Sequence, residues 1–125
     1  MANILRWNAV LTAAFSWRGR IGRLRFAAYV LHQAAWIGVL AVCTVGVTVE
    51  SGTFAYATVE WVMRIAALAW LAGTGALWCG AIKRCHDMDM RGWWSLSLLV
   101  AAPLVLIFLL LVPGSKGENR FGPAP

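Results

Sequence analysis

Acidic side chains are scarce in this chain: five Asp and Glu stand against eleven Lys and Arg, a formal net charge of +6. Charge of either sign is low as well, at 13% of residues, about half of the roughly 25% of a soluble domain. Hydrophobic residues reach 61%, above the roughly 45–50% usual there. A soluble helical fold would need amphipathic stripes, and the long apolar runs here lack a polar face. Cysteine is also sparse. Cys43, Cys79 and Cys85 are odd in number and widely spaced, which excludes a disulfide framework. Cys43 and Cys79 fall inside apolar runs and read as small buried hydrophobes. Nothing resembles a cleaved signal peptide, because the first apolar run starts only at Phe26 and no cleavage pattern follows it. Repeats and low-complexity linkers are absent, and 125 residues make one domain.

What is present is a set of three apolar runs, which predicts an all-α integral membrane protein with three transmembrane helices and a short amphipathic N-terminal helix. Residues 26–49 form the first expected span, about 36 Å at 1.5 Å per residue against a hydrocarbon core of about 30 Å. Residues 61–82 form the second and 93–113 the third. Before them, Ile4, Trp7, Leu11, Ala14 and Phe15 recur at helical spacing among Asn3, Arg6, Asn8 and Thr12. That pattern predicts a helix over 2–17 lying on the bilayer. A polar loop is expected over 50–60, and a turn-rich polar tail over 114–125. Pro103 sits mid-run and should kink the third span; a re-entrant hairpin around it is the alternative.

Small residues recur along the second span at Ala66, Ala69, Gly73, Ala76 and Gly80, with a shorter stripe at Ala34, Gly38 and Ala41 in the first. Small faces let backbones approach, so these helices should form a tight antiparallel pair. Three intramembrane polar residues need an explanation. His32 and Gln33 should face other helices. Arg64 follows Glu60 by four residues, the favourable order for a helical ion pair, and can snorkel to the interface.

The densest chemistry is the turn Lys83-Arg84-Cys85-His86-Asp87-Met88-Asp89-Met90-Arg91-Gly92-Trp93-Trp94. The basic cluster Arg6, Arg18, Arg20, Arg23 and Arg25 precedes the first span with no acid among it. Nucleic-acid binding is set aside, because a span follows at once and basic flanks orient spans. With three straight crossings, the amino terminus and the turn hold eight of the eleven basic residues on one side. Positive charge stays inside, so that side is expected to be cytoplasmic and the tail to lie outside. A hairpin at 93–113 would instead bring the tail back to the arginines.

Three segments together resemble a known family. Phe15 with Gly19-Arg20-Ile21-Gly22-Arg23 and Phe26 is similar to its opening motif. Lys83-Arg84-Cys85-His86-Asp87 with Gly92-Trp93-Trp94 is similar to its central motif, and Gly117-Glu118-Asn119-Arg120-Phe121-Gly122-Pro123-Ala124-Pro125 to its closing one. The chain thus resembles domain of unknown function family 805, small bacterial inner-membrane proteins. The resemblance implies a bacterial inner (plasma) membrane location and a helical multi-span fold, and brings no established activity. Arg25 stands where the family commonly has an acid, Cys85 where leucine is typical, and Arg91 where a small residue precedes the glycine.

The candidate cluster is Arg18, Arg20, Arg23, Arg84, His86, Asp87, Asn119 and Arg120. Arg84, His86 and Asp87 are expected to cap the second helix and bridge to the arginines near residue 20 or to the tail. Consecutive Cys85, His86 and Asp87 point different ways on a helix, so a metal site is not expected, and no motif calls for a cofactor. His86 beside Asp87 lacks a placed nucleophile, and neighbours about 100° apart on a helix rarely bond one another. The leading expectation is a non-enzymatic module binding the phospholipid bilayer, through anionic headgroups or a membrane-protein partner, a second copy included. A subunit of an oligomeric transporter or channel is the alternative, and an intramembrane enzyme using His86 and Asp87 comes behind it.

Overall fold

A computed structural model describes residues 12–49 and 53–125, side chains excepted at 47–49 and 53–58. Three α-helices follow one another: α1, Arg23–Val49, α2, Thr53–Asp87, and α3, Leu98–Leu111. A 3₁₀ helix, Gly92–Ser97, leads into α3. Residues 12–15 are helical, the end of the expected surface helix, of which residues 2–11 lie outside the described residues. Among the described residues, three segments are long and apolar enough to cross a membrane: Arg23–Gly46, Val59–Asp87 and Gly92–Leu111.

Helix α1 opens where Gly22 ends a bent linker over residues 16–22, with the Phe26 amide donating to the Gly22 carbonyl at 3.1 Å. Helix α2 begins earlier than expected. The supposed polar loop over 50–60 is helical from Thr53 onward, because no glycine or proline follows Gly52 until Gly73. At its other end α2 runs through the charged motif to Asp87.

Helices α1 and α2 form the expected antiparallel pair, and its polar rivet is Gln33. The Gln33 amide donates to the Trp70 carbonyl at 3.2 Å and to Thr74 Oγ1 at 2.5 Å. Gly73 makes room for it: a Cβ there would stand 2.5 Å from Gln33 Oε1. Gly80 lets Tyr29 and Phe26 pack onto the α2 backbone. The shorter stripe on α1 is not used in the same way, since nothing approaches within 4 Å of a Cβ at Gly38. His32 accepts a hydrogen bond from the Trp36 indole at 3.0 Å, and Arg64 donates to Glu60 at 2.5 Å while lying over the Trp61 ring. His32, Gln33 and Arg64 therefore each make at least one local hydrogen bond, although Gln33 Oε1 is buried without one.

The core sits at one end of the molecule. Ile21, Phe26, Ala81, Cys85 and Leu109 are buried together, from the start of α1 and the ends of α2 and α3. Elsewhere the large apolar side chains face outward, Val100 at 91% and Val42 at 73% exposed among them. A water-soluble surface rarely tolerates so continuous an apolar coat; lipid does.

The third apolar run does not run straight. Ala101 leaves the helical region (φ −140°, ψ 47°) two residues before Pro103. Proline lacks an amide hydrogen and crowds the preceding turn, so the helix breaks there. The two arms then fold back toward α2. Gly92, at the start, rests against Ile82 and His86, while Arg84 donates to the Leu109 and Val112 carbonyls at the end. A straight helix of 20 residues would separate its ends by about 30 Å, and one arginine could not touch the far end. The tail, expected on the opposite side for three straight crossings, instead packs on the last turn of α2. Of the ten basic residues that are described, nine lie at this end and Arg64 alone toward the other.

The two glycine stripes separate in a test. Gly73→Ala should lower the thermal unfolding midpoint in detergent, because its methyl group meets a side chain held by two hydrogen bonds. Gly38→Ala should leave the midpoint unchanged or raise it slightly, since the site is open and alanine is the better helix former. Equal effects at both positions would contradict this packing.

Candidate functional site

An aspartate in the last turn of a helix faces the negative end of the helix dipole. Asp87 occupies that place and is buried, so it needs positive partners. Two guanidinium groups supply them. Arg20, from the linker before α1, donates through Nε (3.1 Å) and Nη2 (2.9 Å) to Asp87 Oδ1. Arg84, one turn earlier in α2, donates through Nη1 to Asp87 Oδ2. All three side chains are nearly free of solvent, at 1% for Arg20, 0% for Arg84 and 5% for Asp87.

The triad carries a net positive charge, which backbone carbonyls offset. Arg20 Nη1 donates to the Gly117 carbonyl at 2.7 Å and the Gly122 carbonyl at 3.0 Å, and Nη2 to the Ser115 carbonyl at 2.8 Å. Every N–H of this guanidinium thus has an acceptor. Arg84 Nε donates to the Leu109 carbonyl at 2.9 Å, and Nη2 to that of Val112. These carbonyls end α3, where they lack partners within the helix. One carboxylate therefore ties together the linker, the end of α2, the end of α3 and the tail.

The tail also completes α2. The final carbonyls of a helix have no intrahelical donors, yet each here is satisfied. The Cys85 carbonyl accepts from the Met90 amide at 2.9 Å and that of His86 from the Asp89 amide at 3.1 Å. With Asp89 at φ 57°, this is a Schellman ending whose left-handed position holds aspartate instead of glycine. The His86 carbonyl accepts a second bond from Asn119 Nδ2 at 2.9 Å. The Asp87 carbonyl accepts from the Ser115 amide at 2.7 Å and from its hydroxyl at 3.0 Å. Asn119 is itself held in a turn closed by paired bonds with Gly122, at 3.1 and 2.9 Å, and donates to Ser115 Oγ at 2.9 Å.

His86 lies at the edge of this cluster. Its ring stacks on Phe121 at 3.9 Å with planes 6° apart, and its Nδ1 stands 3.3 Å from the Gly19 carbonyl. Outside it, Arg120 pairs with Asp89 at 3.1 Å in the open. Lys83 reaches back to the Ala13 carbonyl at 2.7 Å.

Of the eight candidate residues, Arg20, Arg84, His86, Asp87, Asn119 and Arg120 are brought together. Arg18 is exposed, its backbone amide turned to Ser16 Oγ. Arg23 is exposed too, reaching the Leu111 carbonyl at 3.4 Å. Ser115 and Gly114 also belong to the cluster, outside the eight candidates. A Cβ at Gly114 would collide with the Asp87 carboxylate, a requirement that no local signal marks.

The chemistry open to the cluster is limited by this occupancy. Asp87 is held by two arginines and cannot orient His86. Cys85 points into the apolar core. Among the described residues, no three His, Cys, Asp or Glu side chains lie together to hold a metal. A cleft does adjoin His86, with Ser95 on its wall, but no hydrogen bond joins the two.

A family model described as "Protein of unknown function (DUF805)" matches residues 14–123. Two relatives, the inner membrane protein YhaH of Escherichia coli K12 and its counterpart in E. coli O157:H7, are each 40% identical over 50 residues. The match covers 38% of this chain and 41% of each relative, less than half of its length. No solved structure matches. With three helices long and apolar enough to cross a membrane, the chain falls among multi-pass inner-membrane proteins.

Removing one partner of a buried ion pair costs about 3–5 kcal/mol, because the charge left behind is uncompensated. Asp87→Asn should therefore unfold the clamp end in detergent, read as a large fall in thermal midpoint. Asp89→Asn, at an exposed pair worth about 1 kcal/mol or less, should shift it little. Similar shifts for both would contradict the assignment of Asp87 as the centre.

Proposed function

The chain belongs to the DUF805 family of proteins of unknown function, and from that premise we propose a non-enzymatic membrane module that holds anionic lipid headgroups at its cytoplasmic face. One observation carries the reading. Every guanidinium nitrogen of the buried Arg20 and Arg84 is bonded within the fold, whereas Arg18, Arg25, Arg91 and Lys116 at the same end are exposed and have no ion-pair partner among the described residues. Positive charge without acidic partners beside a bilayer attracts anionic headgroups, by about 1 kcal/mol per Lys or Arg near the surface.

Orientation follows from the same charges. Basic residues stay inside, and the returning tail adds Lys116 and Arg120 to the end that already holds the linker and the turn. In this reading residues 26–49 and 61–82 cross the bilayer, 93–113 re-enter, and the linker, turn and tail all face the cytoplasm. The transporter reading loses support, because Gln33, His32 and Arg64 each serve a local contact. The enzyme reading loses its dyad, because Asp87 is bound elsewhere.

The triple variant Arg18→Gln, Arg25→Gln, Arg91→Gln should lose anionic lipid at least about tenfold in native mass spectrometry, with its thermal midpoint unchanged. Unchanged retention of phosphatidylglycerol would sink the lipid reading. For orientation, Lys116→Cys in a background without the native cysteines should resist a membrane-impermeant maleimide in intact cells and react in inverted vesicles. The reverse pattern would place the tail outside.

A further inference from the structure

Beside the clamp lies a second feature that the charge argument does not use. A cleft of about 480 Å³ opens between the linker, the last turns of α2 and the 3₁₀ helix. Three indole rings line it, from Trp17, Trp78 and Trp93, together with the edge of His86. Trp17 and Trp93 are 62% and 77% exposed, so they contribute little to the packed core.

Beside Ser95, His86 gives this cleft a directed polar group. A carbonyl can only accept, so in the neutral ring Nδ1, facing the Gly19 carbonyl, carries the proton and Nε2 keeps its lone pair. The stack on Phe121 fixes the ring plane. Nε2 points toward Gly92, where a Cβ would stand 3.3 Å away; glycine leaves that nitrogen uncovered on the cleft wall. A bare acceptor among indole faces suits a cation that can donate a hydrogen bond, since aromatic faces attract cations and the lone pair takes an N–H. At the margins, the chain neighbours of the cleft residues Trp17 and Gly92 are Arg18 and Arg91, both exposed. Guanidinium groups suit phosphate.

We propose that this cleft binds the headgroup of a phospholipid bearing a primary ammonium, with the ammonium between the indoles and His86 Nε2 and the phosphate on Arg18 and Arg91. The site shares those two arginines, and the membrane placement, with the reading above, but it recognises a different group. Anionic lipid needs only the arginines; the amine headgroup needs the cleft.

The test uses the full chain in detergent at pH 8, above the ordinary imidazole range. It is offered equal amounts of phosphatidylethanolamine, phosphatidylcholine and phosphatidylglycerol with identical acyl chains, and retained lipid is counted by native mass spectrometry. The ethanolamine lipid should exceed the choline lipid by roughly two- to tenfold, because the quaternary ammonium has no N–H for Nε2. His86→Phe keeps a ring on Phe121 and should erase that preference. Trp93→Leu, at an exposed position, should lower both zwitterionic lipids against phosphatidylglycerol by roughly two- to fivefold. Equal retention of the ethanolamine and choline lipids by the unaltered chain overturns the proposal, as does a Trp93→Leu ratio identical to it. Phosphatidylglycerol retention that depends on the arginines, with no ethanolamine preference, leaves the anionic reading standing and removes this one. The opposite outcome removes the anionic reading and keeps the cleft.

Discussion

The carboxylate of Asp87, pinned between the guanidinium groups of Arg20 and Arg84, is the constraint on which the rest of the molecule depends. Two cations and one anion without water are unfavourable unless every remaining donor finds an acceptor. Here the acceptors are backbone carbonyls at the end of α3 and in the tail. The charges therefore dictate where those segments go. The tail cannot leave without stranding Arg20, and α3 cannot straighten without stranding Arg84.

The same logic explains a fold with so small a core. Within a bilayer, lipid competes with protein for apolar side chains, so burial of leucine and valine does little to bring helices together. Hydrogen bonds and close backbone approach do that work instead. At mid-depth this is Gln33 against Trp70 and Thr74, admitted by Gly73. At the clamp end it is the ionic cluster. Between them the helices present apolar side chains outward, as a lipid-facing surface would.

Much of this was legible in the residues. Run lengths located the helices, and small residues at steps of three and four identified the face of α2 that meets α1. The three segments on which the family resemblance rests, near residues 20, 84 and 119, are the three that meet at Asp87. Other features were not legible, for physical reasons. The helical start at Thr53 lay among residues whose polarity suggests a loop, and only the lack of a helix breaker hinted otherwise. The path of 93–113 could not be read from hydropathy, because a bent run and a straight one have the same composition. Pro103 marked the place of the bend but not its consequence. Arg18 and Arg23 were indistinguishable from Arg20 by type. Which arginine turns inward is decided by the bend at Gly19 (φ 86°), a backbone property. Ser115 and Gly114 act through a carbonyl cap and a steric vacancy, neither of which has a sequence signature.

One buried carboxylate holds the linker and the tail together at one end of the molecule. The most direct test is a pulsed electron paramagnetic resonance distance between spin labels at Arg18→Cys and Lys116→Cys, in lipid nanodiscs, with the native cysteines replaced. The clamp predicts a distance well under the roughly 30 Å of a hydrocarbon core, lengthening or broadening when Asp87→Asn is added. A narrow distribution at or beyond that thickness, indifferent to Asp87, would contradict it.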